Sequence, residues 1–178
     1  MRSNVVQIVF FLFALVLAAA VQEMSPSVGG VKAACVAAVA FRIALTRHLV
    51  PTLVGAVAAG GLCDALSSLP GFCTSGYLMA VGAFVALVRG TDRGSGRRAR
   101  SCAAVRSPLF AAALFAAVAP LGEVWTHLWL WRFEASLVGG LLYSAAAGFL
   151  VELVVFALLD ALERGCGIPA DAEWEDAA

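Results

Sequence analysis

Acidic side chains inside apolar segments are the residues of this sequence that could do chemistry. Asp64, Glu123, Glu152 and Asp160 each interrupt a long apolar run. A carboxylate at the centre of a bilayer costs about 2.5–3.5 kcal/mol, so it is expected to face other protein or a water-filled cavity. Such acids either form a path for protons or cations or make polar contacts between helices. Because these four lie at different depths and no continuous polar face joins them, the sequence favours polar contacts.

Arg42 is the basic residue that could pair with these acids. Glu152, Phe156 and Asp160 are spaced four residues apart, so they are expected to share one face of a helix. Arg42 lies near the end of another apolar run and is expected at the same level. The sequence therefore predicts an ion pair of Arg42 with Glu152 or with Asp160.

No residue pattern typical of an enzyme, a metal site or a cofactor site is found in the sequence. The five cysteines show no C-x-x-C spacing, and His48 and His127 lie in different segments. No nucleophile elbow, Walker loop or dinucleotide fingerprint occurs. We therefore expect a protein that is not an enzyme and that binds no cofactor and no metal.

The composition is typical of a polytopic membrane protein. Of the 178 residues, 62% are apolar and 13% are charged, and the mean hydropathy is +0.92. Six apolar runs have about 17–28 residues each, close to the roughly 20 residues that a spanning helix needs. They are Val5–Val21, Val28–Leu45, Leu49–Leu69, Phe72–Val88, Pro108–Trp131 and Ala135–Leu162. We predict an all-α protein, with residues 1–168 forming a compact bundle of six transmembrane helices.

The charged residues predict the orientation of this bundle. If the six runs cross in alternation, all twelve basic residues except Lys32 and Arg132 lie on the side of the N-terminus. By the positive-inside rule, both termini are then cytoplasmic. The basic loop at 89–107 is expected to contact anionic membrane lipids rather than nucleic acid, and residues 169–178 form an acidic cytoplasmic tail. The first run also fits a cleaved signal peptide, which would leave five spans.

A glycine-rich motif lies at the end of the third run. It comprises Gly60, Gly61, Asp64, Pro70 and Gly71. Small residues allow membrane helices to approach closely, and Asp64 stands shortly before the Pro-Gly break that ends the run. The motif therefore indicates either helix packing with a helix end or the recognition of a partner.

The middle of the chain resembles the bacterial rod shape-determining protein MreD family. The resemblance rests on AFRIALTRH at 40–48, GAVAAGGLCD at 55–64, LPG at 69–71 and GAFVALVR at 82–89. Members of the family have a similar size and five or six spans, with a glycine-rich helix that ends in Asp and a later basic loop. Gly60, Asp64 and Gly71 match the family, whereas Gly61, Pro70 and the acidic tail depart from it.

The resemblance implies a non-enzymatic component of the inner membrane that maintains rod shape by scaffolding peptidoglycan synthesis. The implied partners are an MreC-like protein, a RodA-type synthase with its transpeptidase and, indirectly, an MreB-like filament. The alternative is the substrate-capturing membrane subunit of an energy-coupling-factor-type vitamin transporter, which also has about six helices. Such a subunit needs several polar groups that converge on an enclosed volume.

Overall fold

The described part of the chain is all-α. The computed structural model describes residues 2–27, 32–46, 49–66, 73–91, 107–130 and 137–166. Within these ranges lie six helices, so the all-α fold class expected from the sequence is confirmed. They are α1 (Arg2–Met24), α2 (Cys35–Thr46), α3 (Leu49–Leu66), α4 (Cys73–Thr91), α5 (Pro108–Leu130) and α6 (Leu137–Gly165).

The helices coincide with the six apolar runs, but their lengths differ. Among the described residues, Pro108–Leu130 and Val138–Gly165 are long and apolar enough to cross a membrane. α2 is much shorter than the run that predicted it, because the helix begins at Cys35 and the run begins at Val28. Its 12 residues extend over only about 18 Å.

The start of α2 is fixed by a side chain from α1. The first amides of a helix have no acceptor within the helix. Gln22, near the end of α1, supplies one, since its Oε1 accepts a hydrogen bond of 3.1 Å from the backbone N–H of Val36. The side chain of Gln22 is itself buried. The end of α1 and the start of α2 are thus joined inside the protein.

α2 lies at the centre of the bundle. It contacts each of the other five helices, and all of its residues except Ala37 are buried. Ile43 belongs to an apolar cluster that includes side chains of α1 and α3. Phe41 belongs to a second cluster, in which its ring lies 5.2 Å from that of Phe115 on α5. The outer helices therefore pack around α2, and α3–α4 and α5–α6 form the two most extensive helix pairs.

The exposed apolar side chains and the buried charges distinguish this structure from a typical soluble protein. Large apolar side chains are exposed on α1, α3, α4, α5 and α6, and Phe13, Phe84 and Leu142 are among the most exposed. Charged side chains such as Arg42 and Glu152 are buried in the interior. An apolar surface of this extent requires a cover, either of lipid or of other apolar protein.

Candidate functional site

Gly60 lies where α3 closely approaches the backbone of α4. A Cβ at Gly60 would overlap the Cα and the backbone N of Ser75. These atoms belong to the backbone of α4 and cannot move aside as a flexible side chain would. Only glycine therefore fits at this position of α3.

The neighbouring Gly61 has the opposite environment. It is exposed, and a Cβ built on it would meet no atom within 4 Å. The two adjacent glycines therefore differ in role, although the sequence presents them as a pair. Gly60 is required for packing of α3 on α4, whereas Gly61 lies on the outward face of α3.

Asp64 caps the N-terminus of α4 from the neighbouring helix. Its Oδ1 accepts a hydrogen bond of 2.8 Å from the backbone N–H of Thr74, and its Oδ2 accepts one of 3.5 Å from the hydroxyl of Ser75. A carboxylate at a helix N-terminus also interacts favourably with the helix dipole. Asp64 is only 4% exposed, so its polar atoms serve contacts within the chain. Pro70 and Gly71, the remaining residues of the motif, lie outside the described residues.

Two aromatic residues attach α5 to the same end of the bundle. The indole N–H of Trp125 donates a hydrogen bond of 3.0 Å to the carbonyl of Cys73, the first residue of α4. The hydroxyl of Tyr77 donates to the carbonyl of Val118. A Trp near the end of an apolar helix is usual at a membrane surface, and this was the one sequence signal for the contact.

Arg42 forms a second buried polar contact, toward the C-terminal end of α2. Its Nη2 lies 3.8 Å from Oε2 of Glu163 on α6, and both side chains are buried. Its Cζ lies 3.9 Å from the centroid of the Phe156 ring, in the geometry of a cation–π interaction. Arg42 thus joins the central helix to α6.

The observed partner of Arg42 is not one of the two predicted. Asp160 instead forms an ion pair of 2.7 Å with Arg164 on the exposed side of α6. Helix geometry explains the difference, because each step of four residues rotates the side chain by about 40°. Asp160 is therefore displaced by about 80° from Glu152, whereas Glu163 is displaced by only about 20° and stays on the face toward α2.

Glu152 is buried beside this contact without a hydrogen bond. It is 0% exposed, and neither of its carboxylate oxygens has a hydrogen-bond partner among the described residues. Arg42 is close enough to act on it electrostatically. The buried group therefore contains two acids and one base, and burial of the second carboxylate is costly.

Glu123 lies apart from these contacts, on the wall of a cavity near the other end of the bundle. The cavity has a volume of ≈ 410 Å³ and is bounded by α1, α2, α3, α4 and α5. Within the described ranges, no three His, Cys, Asp or Glu side chains are grouped so that they could hold a metal ion. The sequence-predicted polar residues thus form separate contacts: Asp64 with α4, Arg42 with Glu163, and Glu123 at the cavity.

Comparison with protein-family models, curated proteins and solved structures finds no significant match to this chain.

The contrast between the two glycines predicts opposite effects of one substitution. Gly60→Ala places a methyl group against the backbone of Ser75, and overpacking of this kind costs about 1–3 kcal/mol. Gly61→Ala adds a methyl group in open space and removes a flexible residue from a helix, so stability should be unchanged or slightly higher. Thermal unfolding of both variants in detergent tests this, and a similar loss of stability in both would contradict it.

The Arg42 contact predicts that its two acids are not equivalent. Glu163→Gln leaves Arg42 without its ion-pair partner, and breaking a buried pair costs about 3–5 kcal/mol. Glu152→Gln keeps the shape of the side chain and removes a carboxylate that accepts no hydrogen bond. The free energy of unfolding should therefore fall by less than about 1 kcal/mol or rise. Denaturant unfolding of both variants measures the difference. The opposite order would show that Glu152 is the principal counter-ion of Arg42.

Proposed function

We propose that this chain is a non-enzymatic component of the bacterial cell-elongation machinery, anchored in the inner membrane, which scaffolds peptidoglycan synthesis and helps to maintain rod shape. The proposal combines two observations. Residues 40–89 resemble the MreD family, and residues of the same segment make the contacts that hold α3 and α4 together. The single observation that carries it is the contact of Gly60 and Asp64 with the start of α4. These motif residues, which match the family, have structural tasks that suit a scaffold.

The proposed location is a six-span bundle in the membrane, with both termini cytoplasmic. The exposed apolar side chains on five helices support it, because lipid would cover them. The buried charges support it as well, because charged groups are unfavourable in lipid. α2 is shorter than the hydrocarbon core, which is about 30 Å thick. It is enclosed by the other five helices, so its ends need not reach the membrane surface.

The proposed partners are those that the family resemblance implies. They are an MreC-like protein and a RodA-type synthase with its transpeptidase, with an MreB-like filament reached indirectly. Asp64, Arg42 and Glu163 are buried and occupied by contacts within the chain. The surfaces left for membrane partners are the apolar outward faces of α1, α3, α5 and α6, where small residues such as Gly61 and Gly139 allow close approach.

A second candidate function is the capture of a substrate for an energy-coupling-factor-type vitamin transporter. The observation that favours it is the cavity of ≈ 410 Å³, a volume within the range of small-molecule sites. The two functions differ in their consequence for the cell. A capture subunit is needed for uptake of its substrate, whereas a scaffold is needed for cell shape.

The six-span arrangement predicts the outcome of reporter fusions. A reporter inserted after Ser101, or fused at Ala178, should be cytoplasmic because the basic residues cluster on that side. Reporters placed after Lys32 and after Phe133 should be on the outer side. An outer-side signal at Ser101 would overturn the topology, whereas disagreement confined to the N-terminus would indicate cleavage of the first segment.

The scaffold function predicts the phenotype of a deletion. A rod-shaped host that lacks this chain should become rounded or wider without a new nutritional requirement, because the loss disperses a synthetic complex. The wild-type gene should restore the shape, and an MreC-like protein should co-purify with its product. Normal shape together with a vitamin requirement would reject the scaffold in favour of the capture subunit.

A further inference from the structure

The cavity runs beside α2. Its wall on that side extends from Ala34, just before the helix, to Ala44, which is eleven residues or about 15 Å. Its volume is ≈ 410 Å³, less than a helical segment of that length would fill, because a helix with its side chains is about 10–12 Å in diameter. The shape suits a single unbranched chain.

The polar lining of the cavity is concentrated at one end. The polar side chains there come from the end of α1, the segment before α2, the start of α4 and the last turns of α5. They are Gln22, Glu23, Lys32, Thr74, Glu123 and Thr126. Deeper in, the wall consists mainly of alanine, valine and phenylalanine, and Thr52 is the polar exception among the lining residues of the far end. The cavity is therefore amphipathic along its length.

The charges at the polar end restrict the ligand further. The ammonium of Lys32 lies 2.6 Å from a carboxylate oxygen of Glu23, and both side chains are partly exposed. Glu123 adds a second carboxylate to the wall. One cation and two anions match a head group that carries both a phosphate and an ammonium, and they disfavour a purely anionic head.

We propose that this cavity binds one acyl chain of a zwitterionic membrane lipid, with the phosphate and ammonium of its head group at the polar end. The phosphate pairs with Lys32 and the ammonium with Glu123, while the chain lies along the alanine face of α2. This inference rests on the membrane location proposed above and is independent of the scaffold role. The binding assay uses purified protein, so its failure is distinguishable from an unchanged cell shape.

Native mass spectrometry of the full-length protein tests the proposal. The protein is equilibrated in detergent with an equimolar mixture of phosphatidylethanolamine and phosphatidylglycerol. Wild-type protein should retain one phosphatidylethanolamine per chain. Ala37→Phe fills the cavity and should reduce retention by about tenfold or more. Ala58→Phe, the matched control on the exposed side of α3, should retain the lipid as wild type does.

A second variant tests the head group without filling the cavity. Glu123→Gln removes the carboxylate proposed to meet the ammonium, so the preference for phosphatidylethanolamine over phosphatidylglycerol should be lost while one lipid is still retained. Equal retention by Ala37→Phe and Ala58→Phe would overturn the proposal, since the lipid would then lie on the outer surface. Retention of a water-soluble small molecule would also overturn it and would favour the capture function.

Discussion

Near-complete burial of α2 is the constraint on which the rest of the structure depends. A helix enclosed by five others has no solvent to satisfy its terminal amides or to screen its charge. Both needs are met by neighbouring helices. Gln22 of α1 accepts the N–H of Val36 at one end, and Glu163 of α6 faces Arg42 toward the other. The first and the last helix of the described chain therefore complete the central one.

The α3–α4 pair is likewise completed by contacts from neighbouring helices. Gly60 brings the two backbones together, and Asp64 then lies close enough to cap α4. Trp125 adds α5 by donating to the carbonyl of Cys73. Small residues and a few polar ones thus join the helices inside the bundle, in addition to the apolar core, and large apolar side chains also face outward. This arrangement suits a protein whose outer faces meet lipid and other membrane segments.

The sequence was sufficient for features that depend on composition and periodicity. Six apolar runs predicted six helices, whereas the motif around Asp64 left helix packing with a helix end and partner recognition both open. Features that depend on a neighbouring helix could not be predicted. Gly60 and Gly61 are adjacent residues of one type, and the position of Ser75 on α4 gives them different roles in packing. The start of α2 at Cys35 depends on Gln22 of another helix.

The partner of Arg42 shows a further limit of reasoning from spacing. A strict four-residue repeat pointed to Asp160, but a helix turns slightly more than one full rotation in four residues. Over two repeats this drift moves Asp160 off the face, and the eleven-residue step brings Glu163 back to it. Over a single four-residue step the drift is small, and Phe156 stays on the face toward α2, where it contacts Arg42.

The ion pair between α2 and α6 also has a consequence for biosynthesis. Arg42 emerges from the ribosome early, in a helix of only 12 residues that is too short to span a bilayer by itself. Its counter-ion, Glu163, emerges near the end of the chain. Until then Arg42 lies without this counter-ion in a helix that α6 does not yet enclose. Neutralisation of Arg42 and enclosure of α2 are therefore both completed by the last helix to be made.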